Sequence, residues 1–478
     1  MNIRMALEQI ESAMRAYSAK APDGSWRVPL EAQRPVYLVG PPGVGKTAAV
    51  RQAARRMGVG FAAYTMTHHT RQSALGLPLI AHRTVGGAER AVTEYTMSEI
   101  VAEVWAQADA GAERGLLFLD EINCVSESLM PAMLQLLQYK TFGVHALPRG
   151  WMLVCAGNPP KYNRYAHTFD AVVLDRLRVI EVEPDLEAWR AYAAERGVHP
   201  SIRAYLALRG GDFYASDGDR IVTARSWTDL SDAMLATEAA GDAPGETLFG
   251  QYLQVEAIAG RFALYYVLCE RLSSQLDGVL AGTPVDLRDA PFDEALFAAM
   301  LVSGRLRDQA EALAQLRRRA ERLRNFAEGV AREAAGGDAA GVCAAHIDRL
   351  EAALAARLRI NAIDEAEAAR ERSLIAVLRR VAAGAPTEAD VMDALARCAD
   401  DAAAPANEAE AALAAAMDHG LDFIEGGVGD PNVRMLFLGD LKRSPAVQAF
   451  IRRCCETRFE ALVRANDPEV RAFALREE

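Results

Sequence analysis

The sequence predicts an α/β domain built on a parallel sheet, then a helical subdomain, then an all-α extension containing an antiparallel helical hairpin. Three observations carry this. Within residues 1–185, short apolar runs bounded by turn residues recur at 35–40 (PVYLVG), 59–66 (VGFAAYTM), 115–120 (GLLFLD), 151–157 (WMLVCAG) and 178–184 (RVIEVEP). Helical stretches such as 47–57 and 97–110 lie between them, and strands joined by helical crossovers form a parallel sheet flanked by helices. Next, the pattern from 186 becomes helical throughout, with turn clusters at 210–218 and 241–245. Finally, from about 285 the chain is alanine- and arginine-rich, and Leu306, Leu313, Leu316, Ala320, Leu323, Ala327 and Val330 fall on a and d positions of one heptad frame. A turn at 334–341 precedes a second stripe that begins with Ile347, Leu350, Leu354 and Leu358 and runs towards Leu378. The expected domains are 1–185, 186–284, 285–385 and 386–478.

Composition bounds the function. The chain has 478 residues, is 51% hydrophobic and 25% charged, and carries a net charge of −12. That length suits two to four domains, each with its own core. No run of about 18 apolar residues occurs, and the N-terminus lacks the apolar block of a signal peptide, so a soluble, cytoplasmic protein without membrane contact is expected. Seven scattered cysteines with no C-x-x-C pair argue against a disulfide framework and against structural zinc. His68 and His69 lack an H-E-x-x-H partner and read as structural. An acidic chain repels phosphate backbones, which makes nucleic acid a poor default partner.

Charge is also unevenly placed. Only Lys20, Lys46, Lys140, Lys161 and Lys442 are lysines among 53 basic residues, so a lysine in a demanding motif stands out. The first arm of the hairpin is basic on its outer face (Arg317, Arg318, Arg319, Arg322, Arg324), which is either a solvated face or a docking surface. Residues 386–430 hold eleven acidic residues against Arg397 alone, and point to a partner of the extension. Helix starts there look capped, at Thr387 with Asp390 and at Ser444 before Pro445.

The strongest motif is GPPGVGKT at 40–47, which follows an apolar strand and opens a helix. Gly40, Pro41, Pro42, Gly43, Val44, Gly45, Lys46, Thr47 and Ala48 form the candidate triphosphate cradle. Its glycines let backbone N–H groups turn inward, and the helix N-terminus adds partial positive charge. Lys46 reaches the β- and γ-phosphates, and the Thr47 hydroxyl ligates Mg²⁺. About 75 residues on, GLLFLDEIN at 115–123 ends a strand in two carboxylates. Asp120 is the candidate Mg²⁺ ligand beside Thr47, and Glu121 the base that polarises the attacking water. Asn158, just past the strand 151–157, is placed to hold that water or the γ-phosphate. Arg176 precedes the last strand and is the candidate for reaching a neighbouring subunit's γ-phosphate, with Arg178 and Arg164 as rivals. Arg225, at a helix start in the helical subdomain, is the candidate for sensing nucleotide.

These residues resemble the AAA+ ATPases of the MoxR type, the helix-2-insert clade, over roughly residues 30–275. The resemblance implies an AAA+ P-loop parallel sheet with a helical lid, and assigns Walker A, Walker B, sensor 1, arginine finger and sensor 2 to the residues just named. Arg225 acts either on its own site or on a neighbour's. The segment from 74 to about 94 resembles the helix-2 insert, and 139–150 resembles the pre-sensor-1 hairpin. In such rings both project towards a central channel and grip a client; as plain residues they read equally well as surface loops. The resemblance further implies a hexameric homo-oligomer with ATP and Mg²⁺ at subunit interfaces, a protein client, and a partner carrying a von Willebrand factor A domain. The expected function is therefore ATP-driven remodelling of a client protein. The alternatives are a nucleic-acid motor of the helicase or clamp-loader type and an ATP-gated scaffold.

Overall fold

The computed structural model describes residues 1–68, 74, 76–276, 278–334, 337–363, 365–384 and 388–467. They group into two compact units, Met1–Asp185 with Asp348–Ile375, and Leu186–Ile347 with Ala376–Glu478. Of the sequence expectations above, His69, the His68 side chain and the Thr387 cap lie outside the described residues.

The first unit is organised by a five-stranded parallel sheet. Helix α1 (Ile3–Tyr17) starts at Asn2, whose side chain accepts the Met5 N–H. There follow β1 (Val36–Val39), α2 (Lys46–Met57), β2 (Gly60–Thr65) and a hairpin of β3 (Pro78–Val85) with β4 (Ala88–Tyr95). Then come α3 (Glu99–Asp109), β5 (Gly115–Asp120), α4 (Met130–Tyr139), a small hairpin of β6 (Thr141–Phe142) with β7 (His145–Ala146), β8 (Trp151–Gly157), α5 (Ala171–Leu174) and β9 (Arg178–Glu181). The sheet order is β2-β5-β8-β1-β9, every pairing parallel. All five apolar runs read from the sequence are its strands. The central strands are apolar on both faces because helices cover both; Leu116–Leu119 and Leu153–Ala156 are fully buried. Register aligns Gly60, Gly115 and Trp151 across three strands. The Trp151 ring lies where a Cβ on Gly115 would meet it at 2.5 Å, so glycine there makes room for the indole.

The segment read as a loop up to Glu94 is a regular ribbon instead: β3 and β4 pair along their whole length, from Pro78 opposite Tyr95 to Val85 opposite Ala88. Gly86 and Gly87 both have positive φ, 62° and 80°, as a two-residue hairpin turn of matching twist requires.

In the second unit, α6 (Leu186–Arg196) and α7 (Pro200–Leu208) lead to β10 (Ala215–Asp217) and β11 (Arg220–Val222). This hairpin corrects the all-helical reading: Gly218, with φ 58°, lets the chain reverse between Asp217 and Arg220. Helices α8 (Ala224–Ala239), α9 (Glu246–Tyr252) and α10 (Glu256–Leu276) follow, then α11 (Phe292–Glu333), a 42-residue helix. After it come α12 (Ala339–Arg359) and α13 (Glu365–Ala383), of which the stretch Asp348–Ile375 belongs to the first unit, and then, again in the second, α14 (Glu388–Asp422), α15 (Pro431–Arg443), α16 (Pro445–Cys454) and α17 (Glu456–Asn466). Ser444 caps α16 by accepting the Val447 N–H, with Pro445 in the first turn.

One apolar core runs through this unit, from Tyr205, Trp227 and Phe262 to Phe297, Leu413, Phe437 and Phe459. The heptad positions Leu306, Leu313, Ala320, Leu323 and Val330 are buried, and α11 packs along α14. The second stripe does not run on to Leu378 as one helix. It breaks after Arg359, where Asn361 takes a left-handed φ of 53° that asparagine tolerates better than most residues. The acidic stretch also has partners inside the unit. Glu410 pairs with Arg317 and, at 2.9 Å, with Arg453; Arg458 pairs with Asp422 and, at 3.0 Å, with Asp418. Arg317, read as part of an outward face, is thereby held against α14.

Candidate functional site

The C-terminal ends of β1, β5 and β8 bring the motif residues together. After Val39 the chain enters the loop at Gly40, and Gly43 and Gly45 take positive φ of 72° and 93° before α2 begins at Lys46. Those conformations turn the backbone back on itself at the start of a 12-residue helix, which makes a concave surface of N–H groups.

The side chains are tightly coupled. The buried Lys46 Nζ donates to Gly40 O at 2.8 Å, to Pro41 O at 2.9 Å and to Asn158 Oδ1 at 2.8 Å. Thr47 Oγ1 donates to Asp120 Oδ2 at 2.9 Å, while Asp120 Oδ1 accepts the Glu121 N–H at 2.9 Å. A hydroxyl and a carboxylate in contact are hard oxygen donors of the kind that Mg²⁺ takes, alongside waters and substrate phosphates. The cradle, the lysine and this oxygen pair thus fit a Mg²⁺-bound nucleoside triphosphate. Glu121 itself has a left-handed φ of 54°, which breaks the strand at that residue.

Two further residues enter that sequence reasoning missed. Thr67, just past β2, donates its hydroxyl to Glu121 Oε2 at 3.0 Å. Asn123, the last residue of GLLFLDEIN, donates through Nδ2 to Asn158 O at 2.8 Å and to His167 O at 3.3 Å, which fixes the backbone that carries Asn158. Asn123 lies inside the motif GLLFLDEIN, where an amide two residues after the second carboxylate is legible; Thr67 has no motif around it.

The arginines fall in different settings. Arg176 is half-buried, its Nε donating to Gln138 Oε1 at 3.2 Å and its Nη1 to Val172 O at 2.5 Å. Arg178 is bonded to Gln9, and Arg164 is exposed with its guanidinium 5.3 Å from the Tyr165 ring centroid. Arg225 is exposed in the first turn of α8, in the second unit, where Thr223 and Ser226 form a capping box.

The two hairpins of the first unit meet: a His145 ring nitrogen lies 3.0 Å from Tyr95 O. Ile80 is 75% exposed and Val144 76% exposed, with Leu79 and Val85 also in the open. Among the described residues, no helix is long and apolar enough to cross a membrane.

Residues 35–177 match the family model of the AAA domain, dynein-related subfamily. No curated protein matches the chain. Among solved structures, a protein of Cytophaga hutchinsonii provisionally named an ATPase is 14% identical with a TM-score of 0.25, over 51% of this chain and 78% of that one. A point mutant of Thermotoga maritima RuvB is 14% identical with a TM-score of 0.30, over 60% of this chain and 78% of that one.

Proposed function

Starting from an AAA+ domain at residues 35–177, which indicates ATPase activity in general, we propose that the protein is a MoxR-type ATPase that remodels a client protein as a homo-oligomeric ring. The observation that carries the ATPase part is the convergence of Lys46, Thr47, Asp120, Glu121 and Asn158 at the ends of three adjacent strands. Lys46 and the loop amides hold the β- and γ-phosphates of the substrate. Thr47 and Asp120 hold Mg²⁺, which when bound neutralises phosphate charge. Glu121 takes the proton of the attacking water, and Asn158 orients that water without competing for its proton. Arg176 of the adjacent subunit meets the developing charge, which makes assembly a requirement for turnover, and Arg225 responds to the nucleotide.

Client remodelling is supported by the two joined hairpins, which hold Leu79, Ile80, Val85 and Val144 exposed, apolar side chains that a client segment can cover. A partner with a von Willebrand factor A domain follows from the same resemblance.

Glu121→Gln tests the core of this reading. It should bind a fluorescent ATP analogue within about threefold of the parent while phosphate release falls by at least about a hundredfold. Parental turnover in that variant would overturn the mechanism. Unfolded casein should stimulate the parent's ATPase, and a double Ile80→Asp, Val144→Asp variant should keep the basal rate and lose that stimulation.

A further inference from the structure

We propose that the groove along the outer edge of β2 is a docking site for an extended peptide segment of a partner protein, one that presents a carboxylate to Arg51. The site is separate from the phosphate loop and does not depend on the reading above.

Strand β2 is an edge of the sheet, so half of its backbone groups face away from β5. Gly60 N–H donates towards β5, to Arg114 O at 2.9 Å. Alternation then turns the backbone groups of Phe61 and Ala63 outward. The molecule already uses the first of these positions. The Phe61 N–H donates to Gln107 Oε1 at 3.1 Å and to Ile360 O at 3.3 Å, and the Phe61 carbonyl accepts from Gln107 Nε2 at 3.0 Å and from Asn361 Nδ2 at 3.5 Å. Main chain at Ile360 and a side-chain amide thus sit where an added strand would. Ala63, the next outward position, is exposed, and among the described residues no hydrogen bond is found for its outward groups.

A cavity of about 440 Å³ opens at that position, walled by Arg51, Arg55, Tyr64, Glu103 and Ile363. Its size suits a few residues of extended chain. The Glu103 carboxylate accepts from Gln107 Nε2 at 2.8 Å, so that wall is already engaged. The Arg51 guanidinium lies 5.6 Å from the Phe61 ring centroid, stacked on a surface that leaves its donors for a carboxylate. Backbone pairing at Ala63 supplies affinity, and Arg51 selects an acidic side chain, the pattern of strand addition to a sheet edge.

The test is fluorescence anisotropy on the full chain with two labelled peptides, Val-Glu-Val-Glu-Val and Val-Lys-Val-Lys-Val. The acidic peptide should bind saturably and the basic one at least about tenfold more weakly. Arg51→Glu, at an exposed position, should reverse that preference while the basal ATPase stays unchanged. Methylating alternate backbone nitrogens of the acidic peptide should abolish binding, because strand pairing needs those N–H groups. Absence of saturable binding, an unchanged preference in Arg51→Glu, or full binding of the methylated peptide would each overturn the proposal. Because the readout is binding and not turnover, it can fail while the ATPase mechanism stands, and the reverse.

Discussion

The Thr67 hydroxyl donates to Glu121 Oε2 across 3.0 Å, tying the residue after one strand to the proposed base at the end of the next. Oε2 thus has one lone pair engaged by Thr67, and a water proton must compete with that hydroxyl for the same oxygen. Thr67→Val removes the donor and keeps the shape. It should raise basal phosphate release by about two- to tenfold, the range of one such hydrogen bond, with little change in KM for ATP. Steady-state phosphate release measures this; a fall in rate would instead make Thr67 the residue that aims Glu121.

How far the sequence reveals this site follows from how local each part is. Gly40 to Thr47, Asp120 with Glu121, and Asn158 each sit in a contiguous motif at a strand end, so pattern alone brings them to one edge of a parallel sheet. Thr67 is 54 residues from Glu121, and a threonine after a strand carries no signal of its own. The break at Asn361 was hidden because helical periodicity resumes on the far side of it, in α13. The acidic run was legible as composition, whereas the pairing of Glu410 with Arg317 spans 93 residues and depends on how two long helices align.

A second prediction concerns the buried charges of the second unit. Asp440 accepts from Arg203 and, at 2.8 Å, from Ser303, with all three side chains buried. Arg307 is buried in the same cluster, and Nη1 atoms of both arginines lack a hydrogen-bond partner. Burial pushes the Asp440 carboxyl up, but Arg203, Arg307 and Ser303 outweigh it and leave it below the ordinary value. Burial, and then Arg203, lower Arg307 to about 10. One buried carboxylate thus serves two guanidinium groups, with the exposed Asp308 carboxylate 3.6 Å from Arg307 as the second partner of that arginine. Asp440→Asn should destabilise the unit by about 3–5 kcal/mol, because Arg203 loses its buried counter-charge and Arg307 is left with the exposed Asp308 alone. Arg307→Met should cost less than about 1 kcal/mol or stabilise, since it removes the surplus charge. Urea unfolding of both variants decides; equal losses would mean that Arg307 is as well compensated as Arg203.

Lys140 gives a pH-dependent test. It follows α4, is 1% exposed, and donates through Nζ to Gln33 O at 2.9 Å. Burial lowers it from 10.5 to about 8. The unfolded chain therefore keeps this proton up to about pH 10.5 while the folded chain releases it above about 8. Unfolding takes up a proton in that window, so stability rises with pH across it. The penalty of burying the ammonium, about 3 kcal/mol, is present in full below pH 8. Compared with Lys140→Met, the parent should gain about 2–3 kcal/mol between pH 7 and pH 10. Urea midpoints of both proteins at the two pH values check this, and a constant difference would rule it out.

The arginine settings lead to the last prediction. Arg178 is bonded within its own chain to Gln9 on α1, whereas Arg176 lies beside the exposed Val172 and Leu174, an apolar rim suited to a neighbouring subunit. Arg176→Ala should lower phosphate release by about a thousandfold or more, as loss of an arginine supplied in trans does. Arg178→Ala should lower stability and keep most of the rate. If Arg176 works across an interface, two dead variants should rescue each other. Arg176→Ala retains an intact phosphate loop, Lys46→Ala retains the arginine, and some interfaces of a mixed ring combine both. With random mixing at equal amounts, about one quarter of interfaces are complete, so activity should recover towards that fraction. No recovery, with mixed assembly verified by size, would place Arg176 on its own subunit's site.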